Sequence, residues 1–140
     1  MNILNRKLKK KEKEIYWQAL SFILGYCSKP NEAKLSYINA QALEIGLSDE
    51  DIAKIKILES PTQIVQSIKK IECFAMRRFI IREMIMLAVS AHELQESEIM
   101  AIYKIGNDVG IDTDKIDDFF MWAAKGLEWQ IEGAKLVKED

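Results

Sequence analysis

Apolar residues spaced three or four positions apart recur along most of the chain, and strict alternation of apolar and polar residues is not sustained. This spacing collects apolar side chains on one face of a helix, whereas a strand would show a period of two. Two prolines and six glycines interrupt the pattern. The pattern predicts one all-helical domain, a bundle of about seven helices over residues 1–140.

Turn residues predict where the first three helices begin and end. The first runs from near Asn5 to about Cys27, with a basic start within residues 1–14, and the second ends at Gly46, where glycine allows a left-handed conformation. Ser48 then starts a short third helix. The apolar face of the second helix is predicted to consist of Leu35, Ile38, Ala42 and Ile45.

The clearest helix start is "SPTQ" at residues 60–63. It combines a capping serine, a proline at the first helical position and a glutamine three residues after the cap. Ile64, Ile68 and Ile71 form a stripe behind it. Residues 74–91 are apolar almost all round, which is typical of a helix enclosed by its neighbours. We predict that this segment is the central buried helix.

Two further helices are predicted after the central one. The first spans about Gln95 to Val109 and ends at Gly110, and Thr113 caps the second. An apolar face continues almost to the end of the chain through Ile116, Phe120, Ala123, Leu127, Ile131 and Ala134. Glycines at positions 126 and 133 each cost about 1 kcal/mol relative to alanine inside a helix. The last helix is therefore either continuous or bent or broken at a glycine.

Two parts of the sequence align at a constant offset of 64 residues. "EAKLSYINAQALEIGLSDEDI" from residue 32 matches "ESEIMAIYKIGNDVGIDTDKI" from residue 96, pairing Ile38 with Ile102 and Gly46 with Gly110. Each matched position has a structural task as an apolar face or a helix stop. The alignment predicts two imperfect pseudo-repeats, at about residues 16–58 and 80–122, built around the central helix. Chance matching of amphipathic helices is the alternative.

The pseudo-repeat resembles the TerB-like domain of tellurite-resistance and related bacterial proteins. The resemblance covers roughly Tyr16 to Trp122 and rests on a long apolar helix, a polar corner, "E-x-x-x-I-x-x-I", and "G-I" before a capped helix. It implies an all-helical, pseudo-repeated fold and a broad link to stress or tellurite response. It also implies divalent-metal binding by acidic residues at the two corners, where the family usually has Asp-Gly about seven residues before a glutamate.

The sequence departs from that metal motif at both corners. If Glu98 is the matching glutamate, Ala91 and His92 occupy the Asp-Gly positions, and the equivalents in the first half are Cys27, Ser28 and Lys34. Calcium needs about six to eight oxygen ligands and magnesium about six, which one aligned glutamate does not supply. We therefore expect no cofactor, and a divalent metal is disfavoured at these corners.

His92 with Glu96 and Glu98 is the remaining candidate for chemistry. A zinc site would need three or four converging ligands, and only His92, Glu96 or Glu98, and Cys27 from the equivalent corner are at hand. The favoured interpretation is structural: His92 ends the central helix, and the two glutamates stabilise the positive end of the next helix. No nucleophile arrangement or glycine-rich phosphate loop is present in the sequence, so we expect no enzyme activity.

Trp122, Trp129 and Leu136 recur every seven residues, on a stripe partly separate from the apolar face of the last helix. A second apolar face needs a second partner. The first helix, through Tyr16 and Trp17, is one candidate to cover it, and another protein or a second copy of this chain is the other. These three residues are the candidate partner-binding residues.

Composition narrows the classes of partner and compartment. Hydrophobic residues make up 49% and charged residues 30% of the 140 positions, as in a globular domain with a sizeable core. Twenty basic against 22 acidic residues give a net charge of -2, so no nucleic-acid partner is expected.

The remaining sequence signals concern compartment and function. The start of the sequence lacks the apolar run of an export signal, and the longest apolar run is too short to span a membrane. Two cysteines without a C-x-x-C spacing predict buried thiols and a cytoplasmic location. We predict a small intracellular, non-catalytic binding or adaptor domain. The alternative is a metal-dependent sensor or hydrolase at the corners near Cys27 and His92 to Glu98.

Overall fold

The computed structural model describes residues 8–26, 32–90 and 94–138, and in these ranges the chain forms seven helices and no strand. The helices are α1 (Lys10–Tyr26), α2 (Glu32–Ile45), α3 (Asp49–Ala53), α4 (Pro61–Lys69), α5 (Phe74–Val89), α6 (Glu96–Asp108) and α7 (Thr113–Lys138). The predicted all-α bundle is confirmed. None of the described helices is long and apolar enough to cross a membrane.

Helix α5 lies at the centre of the bundle, as predicted. It packs against α1, α2, α6 and α7, while α4 packs against α1 and α6. Side chains from all sides of α5 are buried, among them Met76, Ile80, Ile81, Met84, Ile85 and Leu87. Because a helix inside a bundle exposes little surface, the sequence of α5 contains almost no polar face.

Side-chain capping accounts for the starts of α3 and α4. The Ser48 hydroxyl accepts from the Asp51 backbone N–H, and the Asp51 carboxylate accepts from the Ser48 N–H, which together form a capping box at α3. At α4 the Ser60 hydroxyl accepts from the Gln63 N–H, as predicted. The side chain of Gln63 accepts from the backbone N–H of Glu59 instead of returning to Ser60.

The predicted start of α1 is wrong by several residues. The helix begins at Lys10, not near Asn5, and residues 8 and 9 precede it. The backbone N–H of Lys9 donates to Glu12 Oε1 at 3.0 Å. The carboxylate of Glu12, the third residue of α1, thus satisfies an amide that has no partner inside the helix.

The two halves of the chain match in structure at the offset seen in the sequence. Helices α5, α6 and α7 begin 64 residues after α1, α2 and α3, respectively. Gly46 and Gly110 follow α2 and α6 with φ of 79° and 94°. In both places the next residue, Leu47 or Ile111, donates its N–H to the carbonyl five residues earlier at 2.9 Å. Equivalent glycines therefore end equivalent helices in the same way.

Arg77 ties the ends of two helices to the start of α5. Its guanidinium donates to the carbonyl oxygens of Ile71 at 2.6 Å, Lys69 at 3.0 Å and Val109 at 3.1 Å. The carbonyls lie at the ends of α4 and α6, where helices leave acceptors without a partner of their own. The same guanidinium lies 4.7 Å from the centroid of the Phe74 ring.

Three details of the sequence prediction are wrong. Leu35 is exposed, and its neighbour Lys34 is buried in its place on the inner face of α2. Cys73 is an exposed free thiol, not a buried one, because it precedes α5 at the N-cap position. Thr113 is the first residue of α7, so it is not the cap, and its hydroxyl lies 3.3 Å from Asn107 Oδ1.

Candidate protein-binding surface

The first half of α7 is held against the bundle by apolar contacts. Ile116 and Ala123 are buried, and Phe120 stacks on Tyr103 of α6 with 5.4 Å between ring centroids. Gly106 of α6 allows the close approach, since a Cβ there would lie 2.6 Å from the Cδ1 of Ile116. This packing fixes the direction in which the rest of the helix extends.

The second half of α7 extends beyond the bundle. The helix continues without a break through Gly126 and Gly133 to Lys138, so the continuous form of the last helix is the observed one. Every residue from 128 to 138 is exposed. We call residues 128–138 the outer half of α7. The predicted apolar face therefore leaves the core after Leu127, and Ile131, which was predicted to continue it, is 39% exposed.

The residues predicted to bind a partner lie along this helix with large exposed fractions. Trp122 is 51% exposed, Trp129 77% and Leu136 71%. We call these three residues the α7 stripe. The alternative in which α1 covers the stripe through Tyr16 and Trp17 does not fit the structure, because all three stripe residues stay exposed. Tyr16 instead stacks on Phe79 with 5.7 Å between ring centroids.

A groove with a volume of about 360 Å³ runs beside the α7 stripe. Tyr37 of α2 and Met86, Val89 and Ser90 at the end of α5 form one wall, and residues 122–130 of α7 supply the other. We call this the α7 groove. A helix or an extended segment laid along α7 would contact both the stripe and this groove.

The Arg82 side chain packs against the ring of Trp122. Its guanidinium carbon lies 5.3 Å from the Trp122 ring and 5.3 Å from the Phe79 ring, so one cation contacts both aromatic faces. Its Nε lies 3.4 Å from Glu83 Oε2. Arg82 therefore connects the Trp122 indole, at the edge of the stripe, to Glu83 inside the bundle.

Glu83 is part of a buried polar cluster. The Tyr16 hydroxyl lies 3.1 Å from Gln41 Oε1 and 3.4 Å from Glu83 Oε1. Burial raises the pKa of the Glu83 carboxyl, and the neighbouring Arg82 charge opposes that shift. Burial also raises the pKa values of the Tyr16 and Tyr37 hydroxyls, with the Glu83 charge adding to the effect. The phenols therefore remain protonated donors, and the cluster holds Arg82 in place.

The corner that the sequence marked as a metal candidate contains a buried ion pair. Lys34 Nζ lies 3.1 Å from each carboxylate oxygen of Glu98, and the two residues are 2% and 0% exposed. A buried carboxylate needs a compensating charge, and here an ammonium group supplies one. Glu98 is therefore engaged inside the fold and is not an open ligand at the surface.

Of the other candidate metal ligands, Glu96 lies within the described residues. Glu96 is an exposed residue in the first turn of α6. His92 and Cys27 lie outside the described residues. Among the residues that the structure describes, no three histidine, cysteine, aspartate or glutamate side chains are grouped as a metal site would require.

Lys34 and Arg82 are two of the residues in these sites that the sequence predictions did not identify. For Lys34 a signal was present, because the 64-residue offset of the repeat also separates Lys34 from Glu98. The equivalent positions thus carry opposite charges and meet in the fold. Arg82 gave no comparable signal, since its role depends on Trp122 forty residues later in the chain.

Comparisons with known proteins leave the family open. No protein-family model matches the sequence, and neither a curated protein nor a solved structure shows significant similarity to the chain. The resemblance to TerB-like domains rests on the sequence pattern alone and stays a prediction.

Proposed function

We propose that this chain is a small intracellular, non-catalytic protein-binding domain, and that it binds through the α7 stripe and the α7 groove. The observation that carries the proposal is the exposure of Trp129 at 77% beside that of Trp122 at 51%. Tryptophans are enriched among the residues that dominate binding energy, and they are costly to leave in water. Large exposed apolar patches mark interaction sites.

The geometry of α7 supports the same role. Every residue of its outer half is exposed, and the segment contains Gly133, which weakens a helix. A helical segment of about a dozen residues is marginal in water by itself. Contact with a partner would supply the stabilisation that the bundle does not provide to this segment.

Resemblance to TerB-like proteins would place this binding role in a stress or tellurite response. Support for that biology comes from the sequence pattern of the pseudo-repeat. Growth of a deletion strain with and without tellurite, complemented by wild type or by the Trp129→Ser variant, tests the link. Rescue by wild type alone is expected.

The binding role itself is tested by comparing baits that differ only on α7. Wild-type chain and a Trp122→Ser/Trp129→Ser variant are used to capture proteins from host lysate, and each captured protein is then purified and titrated directly. A matched control is Leu43→Ser, since Leu43 is 81% exposed on α2. Direct binding that is lost only in the α7 variant is expected. Equal binding by all three baits would contradict the proposal.

A further inference from the structure

We propose that the partner of the α7 stripe is a second copy of this chain, and that two α7 helices pair antiparallel along their stripes. This inference rests on the proposed function, because it uses the same surface. It names the occupant, the register and the residues in contact.

Glycines alternate with the large side chains of the stripe. The order along one side of α7 is Trp122, Gly126, Trp129, Gly133 and Leu136, with steps of four and three residues. Steps of four and three keep all five positions on one side of a helix. The surface is therefore a row of large apolar side chains separated by glycines, which have no side chain.

Nothing within the described chain requires glycine at these two positions. A Cβ at Gly126 or at Gly133 would meet no atom within 4 Å, and neither residue has the positive φ of Gly46 or Gly110. Each glycine nevertheless weakens the helix relative to alanine. A glycine between exposed tryptophans leaves space for a side chain of a second helix that packs closely against α7.

The spacing is self-complementary in an antiparallel pair. When Trp122 lies opposite Gly133 of the second copy, Trp129 lies opposite Gly126 of the second copy, because the residue numbers of both pairs sum to 255. The two-fold symmetry repeats both contacts in the other direction, as an isologous interface requires. Four indole-to-glycine contacts then form in a single register.

Charges on the flank of the stripe agree with that register. Lys125 and Glu132 lie on the same flank of α7, and within the described residues neither forms an ion pair. In the antiparallel pair Lys125 lies opposite residue 130 of the second copy, about 3 Å along the axis from the level of Glu132. Both copies thus place a cation beside an anion.

The exposed indoles provide a substantial part of the area that a small interface buries. The two indoles of one copy leave roughly 300 Å² accessible, taking up to about 250 Å² for a whole aromatic side chain and the exposed fractions of 51% and 77%. The indoles of two copies supply about 600 Å², which is about half of the roughly 1,200 Å² at the lower end of specific interfaces, and Leu136 with the groove walls supplies further area. We expect a dissociation constant on the order of micromolar.

The test is sedimentation of the purified full chain over a range of concentrations, with alanine variants that separate dimerisation from folding. Gly133→Ala should raise the thermal midpoint of the chain under dilute conditions, since its Cβ enters open space, and should weaken the dimer at least tenfold by displacing the opposite indole. Gly25→Ala is the matched control: Gly25 is also helical with no atom within 4 Å of its Cβ. It should leave the dimer unchanged.

Charge reversal checks the register. Lys125→Glu and Glu132→Lys should each weaken dimerisation severalfold, and the double variant should restore it, because both pairs are then reversed together. Dimerisation that is unchanged in Gly133→Ala, or a double variant weaker than both single variants, would overturn the antiparallel pairing. A chain that is monomeric at every concentration but binds another protein through the tryptophans would refute this inference and leave the proposed function intact. A monomer with no tryptophan-dependent binding would refute both.

Discussion

Replacing Lys34 with methionine removes the ammonium group that both carboxylate oxygens of Glu98 accept from. The methionine side chain has a similar length, so packing around the inner face of α2 is retained while the charge is lost. Glu98 is 0% exposed, and its carboxylate stays away from water. Lys34→Met therefore tests how strongly this corner depends on the ion pair.

The expected loss is large compared with the stability of a domain of this size. Removing one partner of a buried ion pair costs about 3–5 kcal/mol, because the other charge stays buried. Small domains have unfolding free energies of roughly 5–15 kcal/mol. The double variant Lys34→Met/Glu98→Leu should recover to within about 1–2 kcal/mol of wild type, since apolar residues of similar size often replace a buried pair without loss.

Urea unfolding followed by circular dichroism gives both free energies, and an unchanged slope shows that the surface exposed on unfolding is the same. The control is Lys54→Met, which breaks an exposed pair with Glu50 at 3.4 Å and should cost less than about 1 kcal/mol. A loss at Lys34 as small as that at Lys54 would refute the reasoning, because the Glu98 carboxylate would then not depend on Lys34 for its compensation. A double variant as unstable as the sum of the single variants would also refute it.

Three further predictions concern the fold. Gly110→Ala should destabilise the chain by about 2–3 kcal/mol, because it combines a positive φ with a Cβ 2.9 Å from the Phe74 ring. Gly46→Ala should cost about 1 kcal/mol, because φ is also positive there but the nearest atom to the new Cβ is at 3.7 Å. Thermal unfolding of the two variants measures the difference. Arg77→Met should cost about 2–3 kcal/mol in urea, since three carbonyl acceptors lose a charged donor. Glu83→Gln should change the pH dependence of the unfolding free energy. Because the pKa of Glu83 is raised in the folded state, its favourable contribution is present at acidic pH and is lost as pH rises through the folded-state pKa. The variant should therefore gain stability relative to wild type toward neutral pH.

Each of these predictions has a control and a contradicting result. Equal losses at the two glycines would show that the Phe74 contact carries no cost. Arg78 is exposed, so Arg78→Met should change little, and a similar loss there would remove the special role of Arg77. A Glu83→Gln variant whose stability follows pH in parallel with wild type would show that Glu83 contributes no pH dependence.

Local signals in the sequence were enough to predict much of the fold. The serine and proline before α4 and the glycines after α2 and α6 act through backbone geometry within a few residues, so they can be recognised without the rest of the chain. The apolar circumference of α5 likewise predicts a central position. The start of α1 was harder to predict, because the Glu12 carboxylate accepts from the amide before the helix and no Ser, Thr, Asn or Asp stands directly before Lys10.

The sites depend on contacts between distant residues, which a local pattern does not contain. Leu35 is more apolar than Lys34, and the pattern therefore places Leu35 inside, yet a carboxylate 64 residues away makes the lysine the buried residue. The exposure of Trp129 also depends on which helices happen to lie beside α7. The sequence identified the stripe, and only the structure shows that its own bundle leaves it uncovered.

Hydrogen–deuterium exchange of the outer half of α7 tests the central claim most directly. Amides of residues 128–138 are measured at protein concentrations from about 1 μM to about 500 μM, a range that brackets the affinity expected for a small interface. Without a partner this exposed helical segment should exchange quickly, and it should become protected as the second copy binds. Protection that is the same at every concentration would contradict the pairing of two α7 helices.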